Sequence, residues 1–261
     1  MTVTRRDSVL ALLSLALAGC GGGGSGAAAP VMAGTVDSKS IVAQSNGTSY
    51  PLSIYLPPGP AANRASLPVV YLLDGEWRFQ TLVDIVEAAK AQVIIVAIGN
   101  EGLRGRDYVP PNVCSPDGGG QAAFLDFIRL QLVPFVEANI GGDPQRRILL
   151  GHSHGGSFVL YALFAEAPDS HAFHAYLASD ASIQCMTSMV YGWEAGYAAS
   201  HAALPVRLHV SYGANMENAL FAQQVQDRHY TGLTLVAQFY QGGHTGMIPA
   251  AFADALAFAL G

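Results

Sequence analysis

The chain has 261 residues, of which 51% are hydrophobic and only 12% charged, with 13 Lys and Arg against 19 Asp and Glu. This length is enough for one sizeable core. The sparse, net acidic charge leaves no basic face to hold a phosphate backbone, which excludes nucleic acid as a partner.

Arg5-Arg6 precede an apolar stretch, Val9 to Ala18, that closes on Leu17-Ala18-Gly19-Cys20. It is too short to span a bilayer as a permanent helix. A charged start, a short apolar middle and a small-residue end predict a signal peptide over residues 1–19. Leu17-Ala18-Gly19-Cys20 resembles the lipobox of bacterial lipoproteins, making Cys20 the lipidated first residue of the mature chain. Thr4-Arg5-Arg6-Asp7-Ser8-Val9-Leu10 resembles a twin-arginine export signal. The Gly- and Ala-rich residues 20–34 read as a flexible tether, and residues 35–261 as the folded domain. These features predict an exported lipoprotein on the periplasmic side of a membrane or at the cell surface, touching the membrane only through its anchor. Cys114 and Cys185 remain free to pair outside the reducing cytosol.

Within the domain, Ser40 to Leu56 reads as an antiparallel hairpin. Leu67 to Asp74 and Val93 to Asn100 are continuous apolar runs, as expected of parallel strands covered on both faces. Further strands are predicted at Arg147 to Gly151, His174 to Ser179, Val206 to Gly213 and Leu233 to Tyr240. Apolar residues at three-to-four spacing predict helices over Thr81 to Ala91, Gln121 to Asn139, Ser157 to Ala167 and Pro249 to Leu260. The βα alternation argues for a doubly wound, mostly parallel sheet with helices on both faces and an antiparallel N-terminal hairpin. In such sheets ligands sit beyond the carboxyl ends of the strands.

Gly151-His152-Ser153-His154-Gly155-Gly156 follows directly on the apolar Ile148-Leu149-Leu150. It reads as a nucleophile elbow, a serine on a sharp strand-to-helix turn with glycines where side chains would collide. The amide of His154 is aimed where an oxyanion would form, and Gly75 or Glu76, after the strand ending at Asp74, would supply a second amide. In this architecture the nucleophile precedes the acid and the histidine comes last. His244, in a glycine-rich loop after the final strand, is the candidate base. Glu217 is the preferred orienting acid because it follows the strand that usually carries it. Asp180, the more remote Asp227 and a serine-histidine pair without a carboxylate are the alternatives. His152 and His154 diverge across the turn with no third ligand at metal-site spacing, so neither metal nor cofactor is expected.

The chain resembles the esterase D-like esterases of the α/β-hydrolase superfamily, a group that includes siderophore esterases, feruloyl esterase modules and mycolyltransferases. The resemblance rests on Pro68 to Gly75, Arg106-Asp107-Tyr108 with Pro110, Gly120 with Phe124 to Ile128, Gly151 to Gly156, the Glu217 loop, and His244 with Ile248-Pro249. It runs from about Ser40 to Leu260. It implies an α/β-hydrolase fold and serine esterase chemistry on a small-molecule or polymer-linked ester, of the siderophore type or, alternatively, a feruloyl or acetyl ester. Acyl transfer on the same fold and a non-catalytic binding lipoprotein are further alternatives. His154 departs from the usual apolar residue, as does Ser179-Asp180-Ala181-Ser182-Ile183 from a segment with proline and aromatics. Arg104 and Arg106 are candidate contacts for an anionic substrate group, with an Arg106-Asp107 structural pair as the other reading. Trp193 is a candidate pocket wall. Cys114 and Cys185 lie in loops on the strand-end side, so a disulfide across the pocket rim is expected.

Overall fold

Strands covered on both faces offer no polar side to water, and the continuous apolar runs of this sequence become the interior of one sheet. The computed structural model describes residues 32–213 and 215–261. The signal peptide, the twin-arginine motif, Cys20 and most of the tether therefore lie outside the described residues. In chain order the strands are β1 (Thr35–Val42), β2 (Ser49–Leu56), β3 (Val69–Leu72), β4 (Ile94–Ile98), β5 (Arg147–His152), β6 (Ala175–Ser179), β7 (Arg207–Tyr212) and β8 (Thr234–Phe239). The helices are α1 (Gly75–Ala89), α2 (Arg104–Tyr108), α3 (Gln121–Phe127), α4 (Val133–Asn139), α5 (His154–Ala165), α6 (Thr187–Ala198), α7 (Glu217–Asp227), α8 (Gly243–Gly246) and α9 (Ile248–Leu260).

The eight strands lie in the order β1-β2-β4-β3-β5-β6-β7-β8. β1 and β2 form the expected antiparallel hairpin, β2 is antiparallel to β4, and the other pairs are parallel. This is the α/β-hydrolase fold. Alternate strand residues feed two cores. Val70, Leu72, Ile95 and Leu150 pack under α1 and α9, while Tyr71, Val96 and Leu149 pack under the layer that contains α3, α5 and α7. The helix behind the elbow is anchored by Phe158, wholly buried with the rings of Phe124 and Tyr108 at 5.1 and 5.6 Å. Removing that ring would cost about 3–5 kcal/mol.

The helices differ from expectation in several places. α1 begins at Gly75, six residues before Thr81, because Asp74 adopts a left-handed φ of 55° and turns the chain straight from β3 into the helix. α5 likewise starts at His154 rather than Ser157. α6, at Thr187–Ala198, lies outside the predicted helical spans. Gln121 to Asn139 is helical throughout but passes through a π turn at Ile128–Leu132 between α3 and α4. Among the described residues no helix is long and apolar enough to cross a membrane.

Candidate active site

Ser153 stands alone between the end of β5 and the start of α5, at φ 60° and ψ −123°. A non-glycine residue held at positive φ is strained, and here the strain is over-determined by its neighbours. The Ser153 amide donates to the Ser179 carbonyl at 2.9 Å, while the Ser153 carbonyl accepts from the amides of Ser157 at 3.0 Å and Ser182 at 3.2 Å. The glycines have steric causes. A Cβ on Gly151 would sit 2.4 Å from the Gly155 carbonyl oxygen, and one on Gly156 would sit 2.9 Å from that of Ser179. Gly155 is less confined, its nearest neighbour being the Asp74 carboxylate at 3.2 Å.

His244 lies in α8, after β8, with its side chain 43% exposed. Its Nδ1 lies 2.6 Å from Asp180 Oδ2. A carboxylate only accepts, so Nδ1 donates and Nε2 is left as the basic nitrogen. Asp180 is fully buried, and its Oδ1 accepts from the Gly213 amide at 3.1 Å. Asp180, not Glu217, is therefore the carboxylate on the histidine. The reason lies in the sheet. β6 runs between β5 and β7, so the residue after its end arrives between the elbow and the β7 loop. The Asp180 amide is tied to the Ser211 carbonyl at 2.7 Å and its φ is 38°. Glu217 instead opens α7, where its amide donates to Asn215 Oδ1 at 3.1 Å. It still reaches the site, as part of the cleft wall.

That cleft, about 420 Å³ in volume, is lined by Ser153, Asp180, Ser182, Gln184, Asn215, Met216, Glu217 and His244. Gln184, Asn215 and Ser182 were not among the sequence candidates, although each follows a strand end. Asn215 braces the wall by donating to the Ala181 carbonyl at 2.8 Å and to the Gln184 side chain. The oxyanion candidates sit where helices begin. His154 is the first residue of α5 and Gly75 that of α1, positions whose amides have no intrahelical partner. α1 starts so close to β4 that a Cβ on Gly75 would lie 2.9 Å from the Ala97 carbonyl carbon. The Glu76 carboxylate accepts from the Asn100 amide at 3.2 Å, and partial burial raises its pKa.

The other sequence candidates separate. His152 packs its ring 4.5 Å from that of His244 and shares a hydrogen bond with Ser179 Oγ at 3.2 Å. Burial, reinforced by the nearby His244 ring and the Arg78 and Arg104 guanidinium groups, lowers its pKa to about 3. It is a neutral wall behind the candidate base. His154 is also shifted down, chiefly by burial. Among the described residues no three His, Cys, Asp or Glu side chains gather to hold a metal ion. Arg104 spends its guanidinium fork on Asp74, at 3.0 and 3.1 Å. Arg106 is bound to the buried Asp107 at 2.7 Å and to the Tyr50 hydroxyl at 2.9 Å, so it belongs to a structural pair rather than to the cleft. Trp193 stacks edge-on against Tyr161 of α5 at 5.2 Å and is likewise a packing residue outside the cleft. Cys114 and Cys185 are joined, with Cα atoms 5.7 Å apart. The bridge ties the loop after α2 to the loop after β6.

The family model described as Putative esterase matches residues 43–244. The siderophore triacetylfusarinine C esterase of Aspergillus fumigatus is 39% identical over 140 residues, 46% of this chain and 46% of that protein. The ferri-bacillibactin esterase BesA of Bacillus subtilis is 35% identical over 152 residues, 49% of this chain and 50% of that protein. The chain thus spans about half the length of these curated relatives. Among solved structures, an IroE-like serine hydrolase from Shewanella oneidensis has a TM-score of 0.76 at 26% identity, covering 85% of this chain and 79% of that one. Siderophore hydrolase EstA from Aspergillus nidulans, at 21% identity and a TM-score of 0.74, covers 90% of this chain and 99% of that one and shares the fold. With a match that runs from the hairpin turn at Ala43 to His244, the chain belongs to the Putative esterase family.

Proposed function

We propose that the protein is an exported, lipid-anchored serine esterase that hydrolyses carboxylic esters, of the siderophore type, through an acyl-enzyme on Ser153. The observation that carries the reading is the 2.6 Å bond between His244 and buried Asp180, in the same cleft as a serine held at positive φ.

In this scheme Asp180 holds the Nδ1–H tautomer, so that Nε2 of His244 takes the Ser153 proton as Oγ attacks the ester carbonyl. The amides of His154 and of Gly75 or Glu76 donate to the oxyanion, in the field of two helix N-termini. Collapse of the tetrahedral intermediate breaks the bond to the alcohol, which leaves with the proton from His244. Water then repeats the sequence on the acyl-enzyme, with His244 again as base. Every step uses this chain's own residues. The siderophore class is suggested by the names of the relatives, and a cleft of about 420 Å³ is of ordinary size for a small ester. Export is supported by the N-terminal Leu17-Ala18-Gly19-Cys20 and by a disulfide, which reducing compartments disfavour.

The test is covalent. A fluorophosphonate probe is expected to label Ser153, as located by peptide mass, and to leave Ser153→Ala and His244→Ala unlabelled. A folded protein that takes no label would overturn the reading in favour of a binding lipoprotein. A positive result is followed by ferric siderophores, aryl esters and feruloyl or acetyl esters, with an added acceptor alcohol to detect transfer.

A further inference from the structure

Ser182 touches the candidate nucleophile twice. Its Oγ lies 3.2 Å from Ser153 Oγ, and its amide donates to the Ser153 carbonyl, also at 3.2 Å. For two hydroxyls 3.2 Å is at the long end, as resting-state contacts around catalytic groups often are. Ser182 is 5% exposed, and what exposure it has is to the cleft.

The segment that carries it is short and doubly fixed. Asp180 holds His244 at one end. At the other, Ser182 leads into a single 3₁₀ turn, Ile183–Cys185, whose last residue is bridged to Cys114. The Cys185 amide also donates back to the Ser182 carbonyl at 3.4 Å. On the far side, Cys114 sits at a left-handed φ of 58° in a loop packed on α2, where a Cβ on Gly105 would lie 2.5 Å from Ser115 Oγ. The disulfide therefore anchors the Ser182 turn to a packed helix rather than to a free loop.

We propose that Ser182 is a positioning residue for Ser153 and that the Cys114–Cys185 bridge keeps it in place. This rests on Ser153 being the nucleophile. As the Ser153 proton passes to His244 and Oγ bonds to the electrophile, Ser182 keeps its own proton and donates to Ser153 Oγ. That holds the attacking lone pair on the cleft side and stabilises the charge that develops on Oγ. One such hydrogen bond, worth about 1.4 kcal/mol, corresponds to about tenfold in rate.

The test is a cycle on the full chain, scored by the second-order rate of fluorophosphonate labelling and by kcat and KM on an aryl ester. Ser182→Ala is expected to slow labelling about tenfold and to lower kcat with KM unchanged, and Ser182→Thr, which keeps a hydroxyl, to stay within about threefold of wild type. Cys114→Ser/Cys185→Ser is expected to slow labelling severalfold, and to slow it no further when Ser182→Ala is already present. Rates in Ser182→Ala equal to wild type would overturn the role of Ser182. Factors that multiply, or a bridge-free protein that labels at the wild-type rate, would overturn the role of the disulfide. Circular dichroism confirms folding, and should the double serine variant not fold, mild reduction of the folded wild type and of Ser182→Ala replaces it. Failure of wild type to label at Ser153 would instead sink the serine esterase reading itself, so the two failures are distinguishable.

Discussion

Replacing Asp180 by Asn separates the two carboxylates that compete for the role of orienting acid. The amide would preserve the shape of the side chain, and its oxygen would keep the bond from the Gly213 amide, which leaves its NH₂ facing the histidine. Facing His244 Nδ1 at 2.6 Å, however, it would favour the tautomer with the proton on Nε2, where it blocks acceptance of the Ser153 proton. It would also remove the charge that stabilises the imidazolium formed during attack. At about 4 Å between charge centres and an effective dielectric of about 20, that attraction is about 4 kcal/mol, or about 10³-fold in rate at 1.36 kcal/mol per decade. The 43% exposure of the His244 side chain argues for that value rather than a larger one, because solvent screens one partner while the other is fully buried. Glu217→Gln, at the cleft wall and off the histidine, should change kcat on an aryl ester by less than about threefold. The assay is kcat and kcat/KM for both variants beside the fluorophosphonate rate, with folding checked by thermal melt. Asp180→Asn within tenfold of wild type, or Glu217→Gln falling as far as Asp180→Asn, would refute the assignment.

The two depressed histidines, His209 and His152, also predict a dependence of stability on pH. Burial depresses His209 to about 4 and His152 to about 3 in the folded state, whereas the unfolded chain protonates near 6.5, so the unfolded state binds more protons below that pH. Stability is therefore undiminished above about pH 6.5 and falls as pH drops toward 4; His209→Leu should remove about 1 kcal/mol per pH unit from the slope of urea-unfolding free energies between pH 4.5 and 6, and an unchanged slope would contradict it. Gly151→Ala places a Cβ 2.4 Å from backbone and should abolish Ser153 labelling or lower Tm by many degrees. Gly196→Ala, at an exposed position of α6 with nothing within 4 Å, should stabilise by about 0.5–1 kcal/mol. Arg106→Ala leaves the fully buried Asp107 carboxylate with the Tyr50 hydroxyl but without its counter-ion and should cost about 3 kcal/mol of stability, while KM for an aryl ester stays within twofold.

The parallel strands, their covered faces and the elbow were legible because each is written locally. A continuous apolar run needs no partner to be recognised, and a serine between glycines carries its own backbone geometry. The carboxylate on the histidine was not legible, because Asp180 and Glu217 both follow strands and differ only in what the chain does next. Asp180 takes one left-handed step and stays at the strand end, tethered to Ser211, whereas Glu217 is carried into the first turn of α7, where a carboxylate also suits the helix dipole. The same difference decides Arg106 and Trp193. Arg106 takes the alternative already open in the sequence, a pair with the adjacent Asp107 that Tyr50 completes, whereas Trp193 is claimed by Tyr161, a neighbour that sequence spacing does not reveal.

Ser182 shows the converse. Its neighbourhood, Ser179 to Ile183, stands out only as a departure from the family pattern, and a serine two residues after an aspartate reads as turn chemistry. Its meaning comes from β6 lying beside β5, which brings the residues after Ser179 over the elbow, and from a cysteine three positions on that is bridged to a loop 71 residues away in sequence. Substrate-facing groups in this fold come from loops at strand ends, so their identity follows from which strands are neighbours rather than from local pattern. If the Ser182–Ser153 contact governs the attack, exchanging the residues between Asp180 and Cys185 should alter labelling rate before it alters ester preference, while exchanges at Gln184 alone, whose side chain bonds Asn215 on the cleft wall, should alter preference with the labelling rate intact. A Gln184→Ala variant that slows the small fluorophosphonate as much as Ser182→Ala would argue that the whole wall, and not one hydroxyl, holds the nucleophile.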